Sequence, residues 1–284
     1  MRYLDVKRII QPNNNFNLYR GCTHGCIYCD SRSVCYQIGD FEDIAVKRDA
    51  VAKVESELRS RRKRVMLSTG SMSDPYVHIE KELGITRKVL SLIAKYGFGI
   101  SVLTKSDLIL RDIDLYEEIN RNNKAIVQLT ITTTDDQLAA IIEPHVTRPS
   151  KRFAALKEYH DRGITTGIWM TPILPFIEDN EANIMAICEQ AGAAGVSFIT
   201  AYGIGTTMRE GSRDHFYQCL DRHFPSLKEK YIATYGNNYI CPSPKSESLM
   251  ALFRKTCDQL GIIHDHQEIR AICQAPAIEQ ISLF

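Results

Sequence analysis

Short apolar runs alternate with longer amphipathic stretches over the first two thirds of the chain. The runs are rich in β-branched residues, as buried strands are, and the stretches repeat apolar residues at helical spacing. The predicted strands are residues 16–19, 65–69, 99–104, 125–132, 165–174 and 196–202, and the predicted helices are residues 50–59, 86–96, 112–121, 150–162 and 180–191. Repeated βα units require a parallel sheet with right-handed crossovers. Because six strands are too few for a closed eight-stranded barrel, we expect an α/β fold with an open, partial (β/α)6 barrel.

The pattern changes after Gly203. Two helical stretches, residues 211–224 and 246–260, flank the irregular segment "YGNNYICPSPK" (235–245). This α-rich part is predicted to cap the open side of the barrel, because no further βα unit follows. We therefore expect a partial barrel over residues 1–204, a C-terminal capping extension over residues 205–276 and a tail over residues 277–284.

Composition limits the class of protein. The chain has 284 residues, 44% hydrophobic and 24% charged, which is enough to bury a large core as one domain. Its net charge of +1 provides no overall attraction for nucleic acid or anionic membranes. We expect a cytoplasmic protein, because the first residues lack a signal-peptide core and no stretch approaches the roughly 20 apolar residues of a membrane span. Nine cysteines, an odd number in a reducing compartment, favour a metal or catalytic role over a disulfide framework.

Three of the cysteines, Cys22, Cys26 and Cys29, stand at spacing C-x3-C-x2-C in the segment "RGCTHGCIYCDSRS", directly after the first predicted strand. Three thiolates can bind three irons of a 4Fe-4S cluster and leave the fourth iron without a protein ligand. An open coordination position implies chemistry at that iron. Tyr28, the residue before the last cysteine, is expected to pack beside such a cluster.

A structural zinc ion is the alternative for this loop. Zinc in structural sites takes four ligands, so the loop would have to recruit Cys35 or His24 to complete the shell. In that case the protein would be a binding module without catalysis.

The cysteine loop resembles that of the radical S-adenosylmethionine (SAM) superfamily, in which C-x3-C-x2-C follows the first strand of a partial (β/α)6 barrel. The resemblance implies a 4Fe-4S cluster whose fourth iron is chelated by the amino and carboxylate groups of SAM. It also implies that an electron, from a donor such as flavodoxin or ferredoxin, cleaves SAM to a 5′-deoxyadenosyl radical, which abstracts hydrogen from a substrate. In barrels of parallel strands the catalytic groups gather at the carboxyl ends of the strands.

Four further segments resemble, in order, the strand-end segments of the spore photoproduct lyase-like branch of this superfamily. They are "STGSMSDPY" (68–76), "VLTKSDLILRDIDL" (102–115), "LTITTTDDQLAAIIEP" (129–144) and "TPILPFIEDN" (171–180). The resemblance implies that the SAM site is formed by residues at these strand ends, namely Ser73, Asp74, Lys105, Thr130 and Thr132, with Lys105 facing the SAM carboxylate. From the residues alone, a solvated loop lysine is the preferred interpretation of Lys105. A helix-ending turn accounts for Glu143, which precedes Pro144, at least as well as a ligand contact does.

Two positions depart from spore photoproduct lyase itself. Ser71 stands where the resemblance implies a hydrogen-donating cysteine, and a serine hydroxyl is a poor hydrogen-atom donor. Asp30 stands where it implies a relay tyrosine. The substrate therefore stays open, with damaged or modified DNA as the hypothesis that the resemblance supplies. The cysteines outside the loop are best interpreted as small buried hydrophobes, although any of them could replace the donor: Cys188, Cys219, Cys241, Cys257 and Cys273.

Three other features are interpreted as structural. The basic run "RSRRKR" (59–64) precedes the second barrel strand, so it is predicted at the N-terminal end of the barrel as a solvated loop rather than a nucleic-acid surface. The segment "HDHQE" (264–268) is predicted as a polar surface strand, with no third metal ligand fixed by its spacing. Trp169, in the fifth barrel strand, is predicted to pack in the core.

The chain ends in a short motif of its own. Its last five residues are Gln280, Ile281, Ser282, Leu283 and Phe284. They resemble the peptide Q-L-S/D-L-F, by which bacterial repair and polymerase proteins dock to the sliding clamp. Such a peptide inserts its two apolar side chains into a pocket while the glutamine hydrogen-bonds at the rim. A terminal strand that closes the protein's own core is the alternative. A clamp-docked DNA repair accessory protein with a structural cluster is therefore a rival to the enzyme.

Overall fold

The computed structural model describes residues 2–274. Its strands are β1 (Arg2–Leu4), β2 (Asn15–Phe16), β3 (Tyr19–Arg20), β4 (Ala45–Lys47), β5 (Met66–Thr69), β6 (Gly99–Thr104), β7 (Ala125–Thr130), β8 (Thr165–Trp169), β9 (Phe198–Thr200), β10 (Gly205–Thr207) and β11 (Ile240–Pro242). Its α-helices are α1 (Ala50–Ser60), α2 (Glu80–Leu83), α3 (Ile85–Lys95), α4 (Ile113–Asn122), α5 (Asp136–Ile142), α6 (Pro149–Asp161), α7 (Glu181–Ala193), α8 (Ser212–His223), α9 (Leu227–Tyr235), α10 (Ser246–Leu260) and α11 (His266–Gln274). The peptide that resembles a clamp-binding motif, residues 280–284, lies outside the described residues.

A parallel sheet of six strands, in the order β2-β5-β6-β7-β8-β9, forms the centre of the fold. Its strands follow one another in chain order, with Ile100 opposite Ala125 and Val127 opposite Thr166. β7 is buried along its whole length, as expected of a central strand in a parallel sheet with both faces covered. Within residues 2–274 the end strands of this sheet are β2 and β9. The predicted α/β fold with an open, partial barrel and an α-rich C-terminal extension is confirmed.

The helices between the strands bury one apolar stripe each against the sheet. In α3, for example, Val89, Leu90 and Ile93 are buried, and they belong to one apolar cluster with residues of α1, α4, β5 and β6. The five helices predicted for the barrel agree with α1, α3, α4, α6 and α7 to within two residues at each end. Apolar residues at helical spacing were sufficient to locate them, because each helix has one buried face.

The strand predictions need two corrections. Residues 16–19 are not one strand: β2 pairs with β5 in the barrel sheet, whereas β3 pairs with β4 in a separate three-stranded sheet. The strand predicted over residues 165–174 ends at Trp169, because Pro172 and Pro175 have no backbone N–H to donate to a neighbouring strand. The residues that follow form a loop at the carboxyl end of the sheet.

The C-terminal part packs against the barrel through two helices. α10 lies on α7, and Leu249, Phe253 and Cys257 share an apolar cluster with Ile184 and Ile187. α11 lies against β9. The polar strand predicted at residues 264–268 is wrong: the carboxylate of Asp265 accepts the backbone N–H groups of Gln267 and Glu268 in the manner of a helix cap, and α11 begins at His266.

The remaining C-terminal elements are a hairpin and two helices. β10 and β11 pair antiparallel, with Thr206 opposite Cys241, and α8 and α9 pack against each other beside the cysteine loop. The boundaries at residues 204 and 276 stay predictions. No helix within the described range combines the length and the apolar character needed to cross a membrane.

Candidate active site

The cysteine loop follows β3 and depends on two glycines. Gly21 has φ +88°, and a Cβ there would lie 2.6 Å from the carbonyl oxygen of Phe41. Gly25 has φ +70°, and a Cβ there would lie 2.9 Å from the ring of His145. Both residues need the left-handed region and a close approach, which only glycine allows without strain. The backbone N–H of Cys22 donates to the Phe41 carbonyl at 2.9 Å, so the neighbouring chain fixes the start of the loop.

The three loop thiols are free, with Cys26 buried and Cys22 and Cys29 half-buried. Burial, followed by the charge of Asp74, raises the pKa of Cys22 to about 12, and burial also raises the pKa of Cys26. Iron must therefore displace thiol protons when it binds here, because the thiolate is the metal ligand. Within residues 2–274, no three His, Cys, Asp or Glu side chains converge on the position of one metal ion. A 4Fe-4S cluster does not require such convergence, since each cysteine binds a different iron.

The two residues that could complete a zinc shell have other partners. Nδ1 of His24 lies 3.4 Å from Oδ2 of Asp74, and both side chains are buried. Cys35 is exposed, and its Sγ accepts a hydrogen bond from Nη1 of Arg209 at 3.5 Å. The donor set at the loop is thus three thiols, as a cluster with one open iron position requires.

A cavity of about 620 Å³ opens beside Cys29 at the carboxyl ends of β5, β6, β7 and β8. Lys105 is the single lysine or arginine among the described residues that line it. Its Nζ lies 5.7 Å from the ring centre of Tyr28. Burial acts to lower the pKa of Lys105, but the neighbouring groups, among them Cys26 and the carboxylates of Glu143 and Asp74, outweigh burial and raise it. The cavity therefore has a fixed positive charge next to the cysteine loop.

A buried ionic network supports this wall of the cavity. The hydroxyl of Tyr28 donates to Oε1 of Glu143, and Nη2 of Arg152 donates to Oε2 of the same carboxylate. Arg152 also donates through Nη1 to the carbonyl oxygen of Thr130 at 2.6 Å. Burial acts to raise the pKa of Glu143, but Arg152 and Lys105 outweigh it and keep the carboxylate ionised. Sequence reasoning missed Arg152, which stands on a helix with no visible motif.

The residues predicted to bind the cofactors, Tyr28 beside the cluster and the others at the SAM site, occupy two positions relative to the cavity. Tyr28, Lys105 and Thr130 line it, whereas Ser73, Asp74 and Thr132 are not among its lining residues. Their assignment as SAM contacts stays a prediction.

The buried residues of this set tie the strand ends together. Ser73 donates from Oγ to the carbonyl oxygen of Gly21 at 2.7 Å. Asp74 accepts from the hydroxyl of Thr104 at 2.6 Å and from the backbone N–H of Lys105 at 2.9 Å. These contacts fix the cysteine loop against the segment that carries Lys105.

The two positions that depart from the lyase both line the cavity. The hydroxyl of Ser71 lies 3.2 Å from Nδ2 of Asn15, which donates to it. Asp30 accepts a hydrogen bond at 3.0 Å from the hydroxyl of Tyr36, a second aromatic residue of the cavity wall that the sequence did not single out. Cys241 also lies along this wall, but its thiol is buried and donates to the carbonyl oxygen of Asn238 at 3.5 Å.

The parallel sheet, the three-cysteine loop and the cavity with its one cation define an iron-sulfur protein of the SAM-cleaving class. Comparison with known proteins agrees: residues 16–204 match the Radical SAM superfamily, and the chain belongs to it. Members of this superfamily use a 4Fe-4S cluster and SAM.

The curated relatives are uncharacterized proteins. One from Mycobacterium tuberculosis is 27% identical over 260 residues, covering 88% of this chain and 75% of that protein. One from Methanocaldococcus jannaschii is 34% identical over 167 residues, covering 58% of this chain and 62% of that protein.

Among solved structures, spore photoproduct lyase complexed with dinucleoside spore photoproduct superposes with a TM-score of 0.66 at 17% identity, covering 92% of this chain and 80% of the other. The radical SAM methyltransferase TsrM from Kitasatospora setae superposes with a TM-score of 0.55 at 12% identity, covering 84% of this chain and 51% of the other. At these identities the likeness is one of fold.

Proposed function

We propose that this chain is a radical SAM enzyme that holds a 4Fe-4S cluster on Cys22, Cys26 and Cys29 and binds SAM in the cavity beside Cys29. The observation that carries the proposal is the free three-thiol loop, which opens onto a cavity where Lys105 is the one lysine or arginine that residues 2–274 contribute to the lining. A carboxylate ligand would be attracted to that ammonium group, since charge-assisted hydrogen bonds are the stronger ones. The donor set and the cavity thus fit both groups.

The residues of the site bind and orient rather than transfer protons. When bound, the cluster and SAM would supply the hydrogen-abstracting chemistry of the superfamily. Lys105 would hold the SAM carboxylate, and Tyr28 would pack beside the cluster. The ionised Glu143 fixes the Tyr28 hydroxyl, and Arg152 keeps that carboxylate charged. Such preorganised charges cost no rearrangement during the reaction.

Formation of 5′-deoxyadenosine tests this proposal. The full chain is reconstituted anaerobically with iron and sulfide, then mixed with dithionite and SAM. We expect 5′-deoxyadenosine from the wild-type chain and from Cys35→Ala, which leaves the three loop thiols intact. An intact cluster without 5′-deoxyadenosine would eliminate the enzyme. Loss of the cluster in Cys35→Ala would instead indicate a four-cysteine site.

Damaged or modified DNA is our proposed substrate class. The proposal is supported by the fold shared with spore photoproduct lyase, whose solved complex contains a dinucleoside spore photoproduct. Because Ser71 and Asp30 replace the donor cysteine and the relay tyrosine, we do not propose the same repair reaction. The test offers damaged oligonucleotides, peptides and small metabolites carrying deuterium. Deuterium transfer into 5′-deoxyadenosine from peptides alone would contradict the DNA proposal.

Two protein partners complete the proposal. The first is an electron donor such as flavodoxin or ferredoxin, which the cluster needs for each turnover. The second is a bacterial sliding clamp bound by Gln280, Ile281, Ser282, Leu283 and Phe284. A clamp would supply DNA localisation to a chain whose net charge is only +1. If deletion of residues 280–284 leaves clamp binding unchanged, the motif has no docking role.

A further inference from the structure

A second cavity lies on the open side of the sheet. It measures about 650 Å³ and extends from the segment before β2 to α11. It shares five lining residues with the first cavity, from neighbouring strands of the sheet and the segment after β9: Ser68, Ser101, Gln128, Trp169 and Tyr202. The two cavities are therefore adjacent. We call the second one the lateral chamber, because it reaches the proposed SAM cavity from the side of the partial barrel.

Three aromatic rings form one wall of the lateral chamber. Tyr202 stacks on His266 with 4.6 Å between ring centres and 8° between ring planes. The ring of Trp169 lies 5.4 Å from that of Tyr202. Tyr202 is 65% exposed although it lines both cavities, so much of its ring faces open space. An exposed aromatic ring on a concave wall is typical of a surface that stacks on a planar ligand. The prediction that Trp169 is a core residue is wrong, since it is half-buried and lines both cavities.

The lining of the lateral chamber mixes polar and apolar side chains and is almost uncharged. Nε2 of Gln128 donates to the hydroxyl of Ser101 at 2.9 Å, which orients the amide. The carbonyl oxygen Oε1 of Gln128 accepts no hydrogen bond from any residue in the range 2–274. A fixed amide with a free acceptor can read the edge of a ring that carries N–H donors. Gln128 and the aromatic wall therefore present complementary surfaces to one flat, polar heterocycle.

Arg270 supplies a cation at the rim of the lateral chamber. It lies one helical turn after His266 on α11, so the guanidinium and the imidazole share a helix face. Arg270 is exposed and has no ion pair with any residue that the structure describes. No Asp or Glu of the described chain lines the chamber. The rim is thus suited to an anion such as phosphate.

We infer that the lateral chamber binds one nucleotide unit of the substrate, with its base on Tyr202 and Trp169, its edge on Gln128 and its phosphate on Arg270. The inference rests on the proposed function and deepens it, because it names the part of a nucleic acid that enters the barrel. Enzymes that act on a base hold that base outside the duplex stack, between aromatic side chains. In this position the nucleotide lies next to the cavity proposed for SAM.

The basic run of residues 59–64 adds to this arrangement. It covers the last two residues of α1 and the segment that leads to the N-terminal end of β5, as predicted, and Nη1 of Arg61 donates to Oδ1 of Asn14 at 2.6 Å. Asn14 lines the lateral chamber, so the run stands near its rim. Arg62 and Lys63 are exposed. Phosphates that flank the bound nucleotide can lie along these side chains.

Binding of small probes tests the inference without catalysis. Trp169 is the only tryptophan in the chain, so its fluorescence reports stacking at the aromatic wall. The reconstituted full chain, saturated with SAM and without dithionite, is titrated with the four 2′-deoxynucleoside 5′-monophosphates and with 2-deoxyribose 5-phosphate. We expect quenching by the nucleotides and none by the sugar phosphate. Tyr202→Ala should raise the nucleotide Kd about 5- to 150-fold, whereas Tyr202→Phe, which keeps the ring, should stay within about twofold of wild type.

Arg270→Ala separates the phosphate contact from the stacking contact. It should weaken binding of the nucleotides and leave binding of the corresponding nucleosides unchanged. Equal quenching by 2-deoxyribose 5-phosphate, or wild-type affinity in Tyr202→Ala, would overturn the inference. So would nucleotide binding that occurs in the SAM-free chain and is lost once the chain is saturated with SAM, because the rings would then hold the adenine of SAM. The titration contains no reductant, so it measures binding alone. If the separate assay with dithionite yields no 5′-deoxyadenosine, the proposed reaction is refuted, but the binding result still stands.

Discussion

The cavity beside Cys29 that is proposed for SAM, here called the SAM cavity, shares lining residues with the lateral chamber, but the two differ in their chemistry. Around the SAM cavity lies a buried ion pair: Arg152 donates to the ionised Glu143, and the charge of Lys105 also keeps that carboxylate ionised. Around the lateral chamber the lining is aromatic and amide, with the cation Arg270 exposed at the rim. A buried charge network holds one geometry, because moving any member leaves an unpaired charge. An exposed ring accepts any flat partner. The first region thus suits an invariant cofactor, and the second a substrate.

Removal of a cluster ligand should have the largest effect on the SAM cavity. We expect Cys26→Ala to lose the iron-sulfur absorbance and to reduce 5′-deoxyadenosine to background, because two cysteines cannot hold the cluster. Iron and sulfide content, measured after anaerobic reconstitution, provides the readout. Cys35→Ala is the control, since Cys35 is exposed and lies outside the three-thiol loop. A stable cluster in Cys26→Ala would disprove the ligand assignment.

The cysteine loop was the part of the site that the sequence made plain. Its ligands are close together in the chain, so spacing alone indicates the chemistry. The barrel was equally accessible, because each helix of the βα units has one buried face with a regular period. Lys105 could be assigned only through the family resemblance, since a single lysine in a loop has no distinguishing pattern.

Arg152→Ala should have the second largest effect, on stability. The side chain of Arg152 is buried against Glu143, and its loss would leave an unpaired buried carboxylate. We expect the free energy of unfolding of the apo chain to fall by about 3–5 kcal/mol. Arg162→Ala on the same part of the fold is the control: its pairs with Glu117 and Glu158 are exposed, and it should cost less than about 1 kcal/mol. Equal shifts of the urea midpoint in the two variants would contradict a buried network.

The lateral chamber could not be predicted from the sequence, for identifiable reasons. Trp169 and Tyr202 stand in or just after apolar strands, where core packing is the default expectation. His266 joins them only because α11 folds back against β9, and contacts between residues so distant in the chain have no local signal. One signal was available: Gln128 is a polar residue in the middle of a strand buried along its whole length. Such a residue is typically hydrogen-bonded or functional.

Removal of Lys105, the cation of the cavity proposed for SAM, should weaken SAM binding without unfolding the chain. A hydrogen bond to a charged group contributes about 1.5–3 kcal/mol, so we expect Lys105→Ala to raise the Kd for SAM about 10- to 150-fold. Titration calorimetry on the reconstituted chain measures it. Lys151→Ala, which removes an exposed lysine of α6, is the matched control and should leave the Kd unchanged. Unchanged affinity in Lys105→Ala would mean that the SAM carboxylate lies elsewhere.

The last expected effect depends on pH and comes from Glu178, a buried carboxylic acid in the loop after β8. Its Oε1 accepts the backbone N–H of Leu174 at 2.9 Å, and its Oε2 has no partner among the described residues. Burial, with a further contribution from the charge of Glu143, raises the pKa of Glu178 well above its usual value. Below that raised pKa the side chain is neutral in the folded chain, whereas in the unfolded chain it is ionised above a pH of about 4.3. Unfolding releases a proton in that range, so stability falls as pH rises toward the folded pKa.

Replacement of Glu178 by glutamine removes this pH dependence while retaining an acceptor for Leu174. We expect the free energy of unfolding of Glu178→Gln to match that of the wild type near pH 4. Above that pH the variant should become the more stable of the two, by up to about 1.4 kcal/mol for each unit that the pH rises, until the pH reaches the folded pKa of Glu178. Urea unfolding at several pH values provides the measurement. Glu189→Gln, on the exposed face of α7, should show a difference that does not change with pH. If the stability difference for Glu178→Gln is also flat, or reverses sign as pH rises, the acid is ionised in the fold. The loop would then have to supply it with a positive partner, as Arg152 and Lys105 do for Glu143.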